Sequence, residues 1–209
     1  MISRSGWQVF VPLLFASFCV GCIGQPSPVP QPPFDANAES SKALELFDAD
    51  KDGKIGGKEL DKCPGVKASL KVMKTDKDKG VTKEMIAGRI EKWIESKIGR
   101  TTISCTVTRN GKPLEGAKVA FLPEPFLSDA LTQKAEGITN QMGMAMISLP
   151  VETGPDALPP GMPPGMYRVE ITKPGDNIPA KYNKETELGQ EVSLDNIDIQ
   201  MGIKFPLKY

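Results

Sequence analysis

Three aspartates at alternate positions open the stretch of this chain with the clearest chemistry, Asp48-Ala-Asp50-Lys-Asp52-Gly53-Lys54-Ile55-Gly56-Gly57-Lys58-Glu59. Asp48, Asp50 and Asp52 can turn carboxylate oxygens toward one point, and Glu59 can close the shell with both of its oxygens. Gly53 falls where the loop must turn sharply and a side chain would strain the backbone. Lys54 would contribute only its backbone carbonyl, so its charged side chain is no obstacle, and Gly56 leaves room for a water ligand. Hard oxygen donors in this number suit Ca²⁺. Mg²⁺ demands a tighter octahedron and keeps more of its waters. The expected cofactor is Ca²⁺.

These residues fit the pattern D-x-[DN]-x-[DN]-G-x5-E, and the stretch resembles an EF-hand loop. Its flanks suit helix-loop-helix packing: Leu44 and Phe47 precede it, Leu60 follows, and Ile55 is the β-branched residue that pairs with a sister loop. Asn37, Ser40 and Ser41 are N-cap candidates for the entering helix. Cys63-Pro64-Gly65 cuts the exit helix short, and a second entering helix is expected from about Val66 to Met73. With Val81 aligned on Ile55, the stretch Lys74 to Met85 becomes a sister loop with Lys74 at the first ligand position, Lys79 in place of glycine and Met85 at the last. Only Asp76 and Asp78 keep ligand chemistry, so this second hand is expected to be a structural partner. The following helix carries Ile86, Ile90, Trp93, Ile94 and Ile98 at helical spacing, a stripe that belongs to a core. A dockerin, which also pairs two calcium loops, is the nearest alternative module.

Composition excludes several function classes. Lys+Arg and Asp+Glu are both 26 in 209 residues, so no overall field favours nucleic acid, and aromatic content is 6% with no basic-aromatic interleaving. Histidine is absent, which removes Ser-His-Asp and Cys-His catalysis and histidine metal sites. No catalytic residue is assigned, and the chain is not expected to be an enzyme. Glu124, Asp129 and Glu136 are acidic residues between strands that could pair for glycoside hydrolysis, although such loop carboxylates are usually solvated.

The N-terminus carries an address. Residues 1–21 combine a short basic start, an apolar run from Val9 to Val20 and small residues before Cys22, which is an export signal too short to span a membrane. Cys19-Val20-Gly21-Cys22 resembles a bacterial lipobox, with Cys19 where leucine is preferred. The resemblance implies a mature chain that starts at a lipidated Cys22, membrane-anchored and facing the periplasm or cell surface. The proline-rich tether within 22–36 favours polyproline II at ~3.1 Å per residue and is expected to act as a spacer. In an exported chain, Cys63 and Cys105 are candidates for a disulfide.

From Thr101 the periodicity alternates. Ile103-x-Cys105-x-Val107, Ala117-x-Val119-x-Phe121, Ala145-x-Ile147-x-Leu149, Tyr167-x-Val169-x-Ile171, Ile197-x-Ile199 and Ile203-x-Phe205-x-Leu207 read as half-buried strands separated by turn residues. Gly111-Lys-Pro-Leu-Glu-Gly-Ala-Lys-Val-Ala-Phe-Leu-Pro123, Thr139-Asn-Gln-Met-Gly143 and Pro164-Gly-Met-Tyr-Arg-Val-Glu-Ile171 resemble the carboxypeptidase regulatory-like (transthyretin-like) domain. That resemblance implies an Ig-fold binding or spacing module without catalysis. The expected architecture is therefore two-part: a small all-α EF-hand pair over 37–99, then an all-β Ig-like sandwich over 101–209. The expected function is a calcium-binding, lipid-anchored envelope protein whose Ca²⁺ is structural and whose β-domain meets an envelope protein or polysaccharide. The alternatives are an accessory or catalytic protein acting on extracellular polymer, and a dockerin-like or adhesion module.

Overall fold

The computed structural model describes residues 29–154 and 157–209. The export segment expected over 1–21 and the lipidation expected at Cys22 lie outside the described residues. No helix among those described is long and apolar enough to cross a membrane. Where the described chain begins, the tether is docked. The Gln31 side-chain amide donates to the carbonyls of Trp93 (2.9 Å) and Ile98 (3.3 Å), and the Phe34 ring lies 5.6 Å from that of Trp93. Gly99 permits this crossing, because a Cβ there would collide with the Val29 and Pro30 carbonyls.

Helix α1 spans Ala36–Phe47. Its cap is Asp35, whose side chain accepts from the N–H groups of Asn37 and Ala38, rather than Asn37, Ser40 or Ser41. The hydroxyls of Ser40 and Ser41 instead donate back to the Asn37 carbonyl. After the acidic loop come β1 (Lys54–Ile55), a 3₁₀ turn (Glu59–Lys62) and α2 (Pro64–Ala68), in which Pro64 sits at the helix start, where its missing N–H goes unneeded. Strand β2 (Val81–Thr82) and helix α3 (Lys83–Ser96) complete this half. β1 and β2 pair antiparallel, with Ile55 opposite Val81. α3 buries Ile86, Arg89, Ile90 and Trp93, while Ile94 lies past the edge of that stripe and is exposed.

The second half contains β3 (Ile103–Arg109), β4 (Lys112–Pro113), β5 (Lys118–Pro123), β6 (Ala135–Ile138), β7 (Met144–Ile147), β8 (Gly165–Thr172), β9 (Gly189–Val192), α4 (Ile197–Met201) and β10 (Ile203–Leu207). One sheet runs β10-β3-β4, with β7 also on β3, and the other runs β6-β5-β8-β9. Alternation sends Cys105, Val107, Phe205 and Leu207 of the first inward against Phe121, Tyr167 and Val169 of the second. The Phe121 ring lies 6.1 Å from Tyr167 and 6.2 Å from Phe205, so the two sheets meet directly through aromatic contacts. β10 lies parallel to β3, and the other pairings are antiparallel.

The structure overturns the expected sequence of an all-α module followed by an all-β one. Among the described residues there are four short helices and three sheets, with helix and strand in similar amounts. The N-terminal half contains a sheet of its own, and its exit from the acidic loop is a 3₁₀ turn rather than a helix. Ile197-x-Ile199, expected as a strand, is α4, because Asn196 accepts from the Asp198 N–H and caps a helical turn. Two alternating isoleucines are too short a signal to outweigh that cap.

The halves also share a buried seam. α2 packs on the outward face of β8 and β9, and it comes so close that a Cβ on Gly189 would strike the Pro64 carbonyl. Cys63 begins α2 on that outer face, while Cys105 faces the interior from β3 in the other sheet. The expected Cys63–Cys105 disulfide is therefore not formed; both are buried free thiols. The sheet containing β8 and β9 stands between them.

Candidate metal centre

The acidic loop begins where α1 ends. The N–H of Asp48 still reaches the Leu44 carbonyl at 2.9 Å, and the chain then leaves the helix. Side chains build the loop by accepting from its own backbone. Asp48 Oδ1 accepts from Asp52 N (3.1 Å) and Oδ2 from Gly53 N (3.0 Å), Asp50 Oδ1 from Asp52 N (3.2 Å), and Asp52 Oδ1 from Lys54 N (3.0 Å). Gly53 holds φ at +86°. A Cβ there would meet nothing, so the requirement for glycine is conformational and not a matter of space.

The result is a cluster in which one carboxylate oxygen from each of Asp48, Asp50 and Asp52 lies within 4.8 Å of the others. Mutual repulsion at such distances is about 1 kcal/mol per pair even at the dielectric of water, and a bound dication would reverse its sign. Glu59 stands across the same loop but outside that cluster. Its Oε1 accepts from Ala49 N (2.7 Å) and Asp50 N (3.3 Å), and its Oε2 from Gly56 N (2.9 Å). These N–H groups, that of Gly56 first, hold its carboxyl below the usual carboxylate range. The Lys54 ammonium lies 3.7 Å from Asp52, an exposed pair of little strength that a dication can displace. The donor set fits a hard dication: Asp48, Asp50, Asp52 and Glu59 would hold it, with the Lys54 carbonyl as the expected backbone ligand.

The sister stretch is built otherwise. Asp76 Oδ1 accepts from Asp78 N (3.1 Å) and Lys79 N (2.9 Å), and its Oδ2 pairs with the Lys79 ammonium at 3.1 Å. Lys74 sits at φ +56° at the start of the loop. The two loops are joined through β1 and β2 and by Gly57 N donating to the Lys77 carbonyl at 3.0 Å.

Glu124, Asp129 and Glu136 are not brought together as a pair. Glu124 is fully buried and accepts from Gly65 N at 2.6 Å, Asp129 pairs with Lys42 at 2.9 Å, and Glu136 lies between Lys118 and Lys134. Burial pushes the Glu124 carboxyl up to about 7, against the Gly65 N–H and the nearby Arg168 charge.

Sequence reasoning missed the strongest polar feature, a clasp across the seam. Arg89 of α3 donates from Nε (2.8 Å) and Nη2 (2.5 Å) to Glu191 Oε1 on β9, and from Nη1 and Nη2 to Asp195. The Trp93 indole N–H reaches the same Glu191 oxygen at 3.1 Å. Burial pushes the Glu191 carboxyl upward, while the guanidinium and the indole N–H oppose it, and Arg89 holds Asp195 well below its ordinary range. The signal was present: Arg89 lies three residues after Ile86 and four before Trp93, on the buried stripe itself.

No protein-family model matches the chain, and no curated protein matches its sequence.

Proposed function

We propose that the loop Asp48–Glu59 binds one Ca²⁺ ion, and that the ion braces the fold rather than switching it. The observation that carries this reading is the convergence of the Asp48, Asp50 and Asp52 carboxylates in a loop that Glu59 closes from the opposite side. The brace follows from comparing magnitudes. A sensor that opened on binding would have to part α3 from Glu191 and expose Ile86, Ile90 and Trp93, at about 1.5–3 kcal/mol for each buried side chain. Free Ca²⁺ at 100 times Kd supplies about 2.7 kcal/mol. The clasp wins, and the ion stabilises what is already closed.

In this reading the protein is non-catalytic, exported and anchored through lipid on Cys22, and its two large sheets form a binding or spacing body for an envelope partner. Metabolic labelling with a fatty acid, compared with a Cys22→Ser variant, tests the anchor.

The test of the calcium reading is a Ca²⁺ titration of the whole chain beside a Glu59→Gln variant, following thermal melting and tryptophan emission. In a Trp7→Phe background Trp93 is the sole tryptophan; its ring lies 5.6 Å from that of Phe34 and its N–H bonds Glu191, so its emission reports on the seam. A saturable rise in melting temperature, absent from the variant and with little change in emission, is the expected result. A large saturable emission change would show that the seam moves and would overturn the brace. An unchanged melting temperature in the native chain would remove calcium altogether.

A further inference from the structure

The molecule also concentrates soft donor atoms at one place, far in chemistry from the acidic loop. Met142, Met144 and Met146 recur at every second residue through the turn before β7 and along β7 itself. Ala145 and Ile147 point into the core, so alternation places Met144 and Met146 on the outer face of the sheet, 41% and 61% exposed. Met142, on the turn, is 67% exposed. Burying such a side chain would contribute about 1.5–3 kcal/mol, and these positions forgo a substantial part of it.

Their surroundings leave the sulfurs open. Across β3 the residues opposite Met144 and Met146 are Thr106 and Ser104, both too short to cover a thioether. On the other flank Gly137 faces the core beneath the stripe, and the register of Glu136 on Ser148 sets Ile138, itself 70% exposed, opposite Met146 as an apolar neighbour. The turn fixes Met142 beside the strand, because Asn140 Oδ1 accepts from both Met142 N (2.9 Å) and Met144 N (3.1 Å). Same-face residues two apart on a strand are about 6.5–7 Å apart at Cα. Three rotatable bonds per methionine allow neighbouring sulfurs to meet on a single ion.

We propose that Met142, Met144 and Met146 form a thioether site for a soft monovalent cation, Cu(I). Neutral thioethers select Cu(I) over hard dications, so this site and the acidic loop sort ions by softness and do not compete. Histidine is absent from the chain, so no imidazole competes either. The two described cysteines are buried, and burial raises both thiols, that of Cys105 to about 12, so both are protonated and shielded. Binding adds three neutral ligands to a cation supplied as Cu(I), with no redox step.

The experiment is NMR of the full chain in a Cys19→Ser, Cys22→Ser background, which removes the two other thiols, labelled with ¹³C at the methionine methyls and titrated anaerobically with Cu(I) and in parallel with Ag(I), a soft stand-in stable in air. The methyls of Met142, Met144 and Met146 are expected to shift together and saturate at a common stoichiometry, while buried Met162 and Met166 stay in place. A Met144→Leu, Met146→Leu double variant, a shape-conserving exchange at exposed positions, is expected to lose the concerted shift and keep the native melting temperature. Methyls that do not move, shifts that grow without saturating, or shifts that persist in the double variant would each overturn the site.

Discussion

The two loops that meet at the β1–β2 pairing have divided the work. In the first, Asp48, Asp50 and Asp52 converge and Glu59 closes the loop. In the second, Asp76 is spent on its own turn and on Lys79. The helices that follow differ in the opposite sense. The first loop leads into a 3₁₀ turn and the five-residue α2, whereas the second leads into α3, the longest described helix, which carries Arg89 into the clasp with Glu191 and Asp195. A loop without a full set of ligands still leads into the helix that fastens the molecule together. Under the proposed calcium reading the first loop would hold the ion, while the second leads into the helix that holds the seam.

The largest expected effect comes from separating those roles at Arg89. Arg89→Met leaves Glu191 buried without its partner and should lower stability by about 3–5 kcal/mol in urea unfolding. An Arg89→Met, Glu191→Leu double variant should recover much of that loss, because a buried ion pair and an apolar pair of similar volume are often near equal in stability. Both variants should keep a saturable calcium response, provided unfolding is followed where the fold persists. Loss of that response in the stable double variant would join the two roles that the comparison keeps apart.

Next in size is the metal loop itself. With free Ca²⁺ at 100 times Kd, the native chain should gain about 2.7 kcal/mol over the chelated chain, and Glu59→Gln should lose most of that gain. In chelator the two should unfold at similar urea concentrations, apart from the N–H groups of Ala49, Asp50 and Gly56 that Glu59 serves.

A third effect lies where α2 meets the sheet. The folded state raises Glu124 from its ordinary 4.5 to about 7, so it holds the proton more tightly than the unfolded chain does. That contribution is complete at low pH and is lost as pH rises through about 7. Glu124→Gln removes the titration. Relative to the native chain, the variant should therefore gain stability by roughly 2 kcal/mol between about pH 5 and about pH 8. Glu39, also buried and raised to about 7, titrates in the same window with Asp35, Asp129 and Lys42 around it, so the variant should flatten the native pH profile only in part. Equal pH profiles for the two chains would place the seam's pH sensitivity elsewhere.

What was legible in the sequence was whatever a local rule governs. The convergence of Asp48, Asp50 and Asp52, the register of Ile55 against Val81 and the alternation along β3, β5 and β8 follow from local spacing in the chain. What escaped depends on partners far away. Arg89 and Glu191 are separated by 102 residues, and Gly65 and Glu124 by 59, so neither contact leaves a periodic trace. The same distance effect undid the two-part architecture. The two halves carry separate patterns in the sequence, yet α2 packs on β8 and β9, and α3 reaches β9 through Arg89 and Trp93. The disulfide failed for that reason too, since the sheet separating Cys63 from Cys105 is invisible until the halves are docked.

The smallest expected effect is also the sharpest test of the division of labour. Asp76 has the right chemistry for a ligand and the wrong surroundings. Asp78 N, Lys79 N and the Lys79 ammonium already use its oxygens, and Lys74 brings a positive charge where a first ligand should stand. Asp76→Asn keeps an acceptor for the turn and removes only the charge. If the second loop is purely a scaffold, the variant should titrate with Ca²⁺ at native affinity and stoichiometry, with a melting temperature close to that of the native chain in calcium and in chelator alike. A weakened affinity would show that the carboxylate still acts on the ion through the field across the β1–β2 pairing. Repeating the titration at high salt would then separate a long-range field, which salt screens over about 8–10 Å, from a direct ligand bond, which it does not.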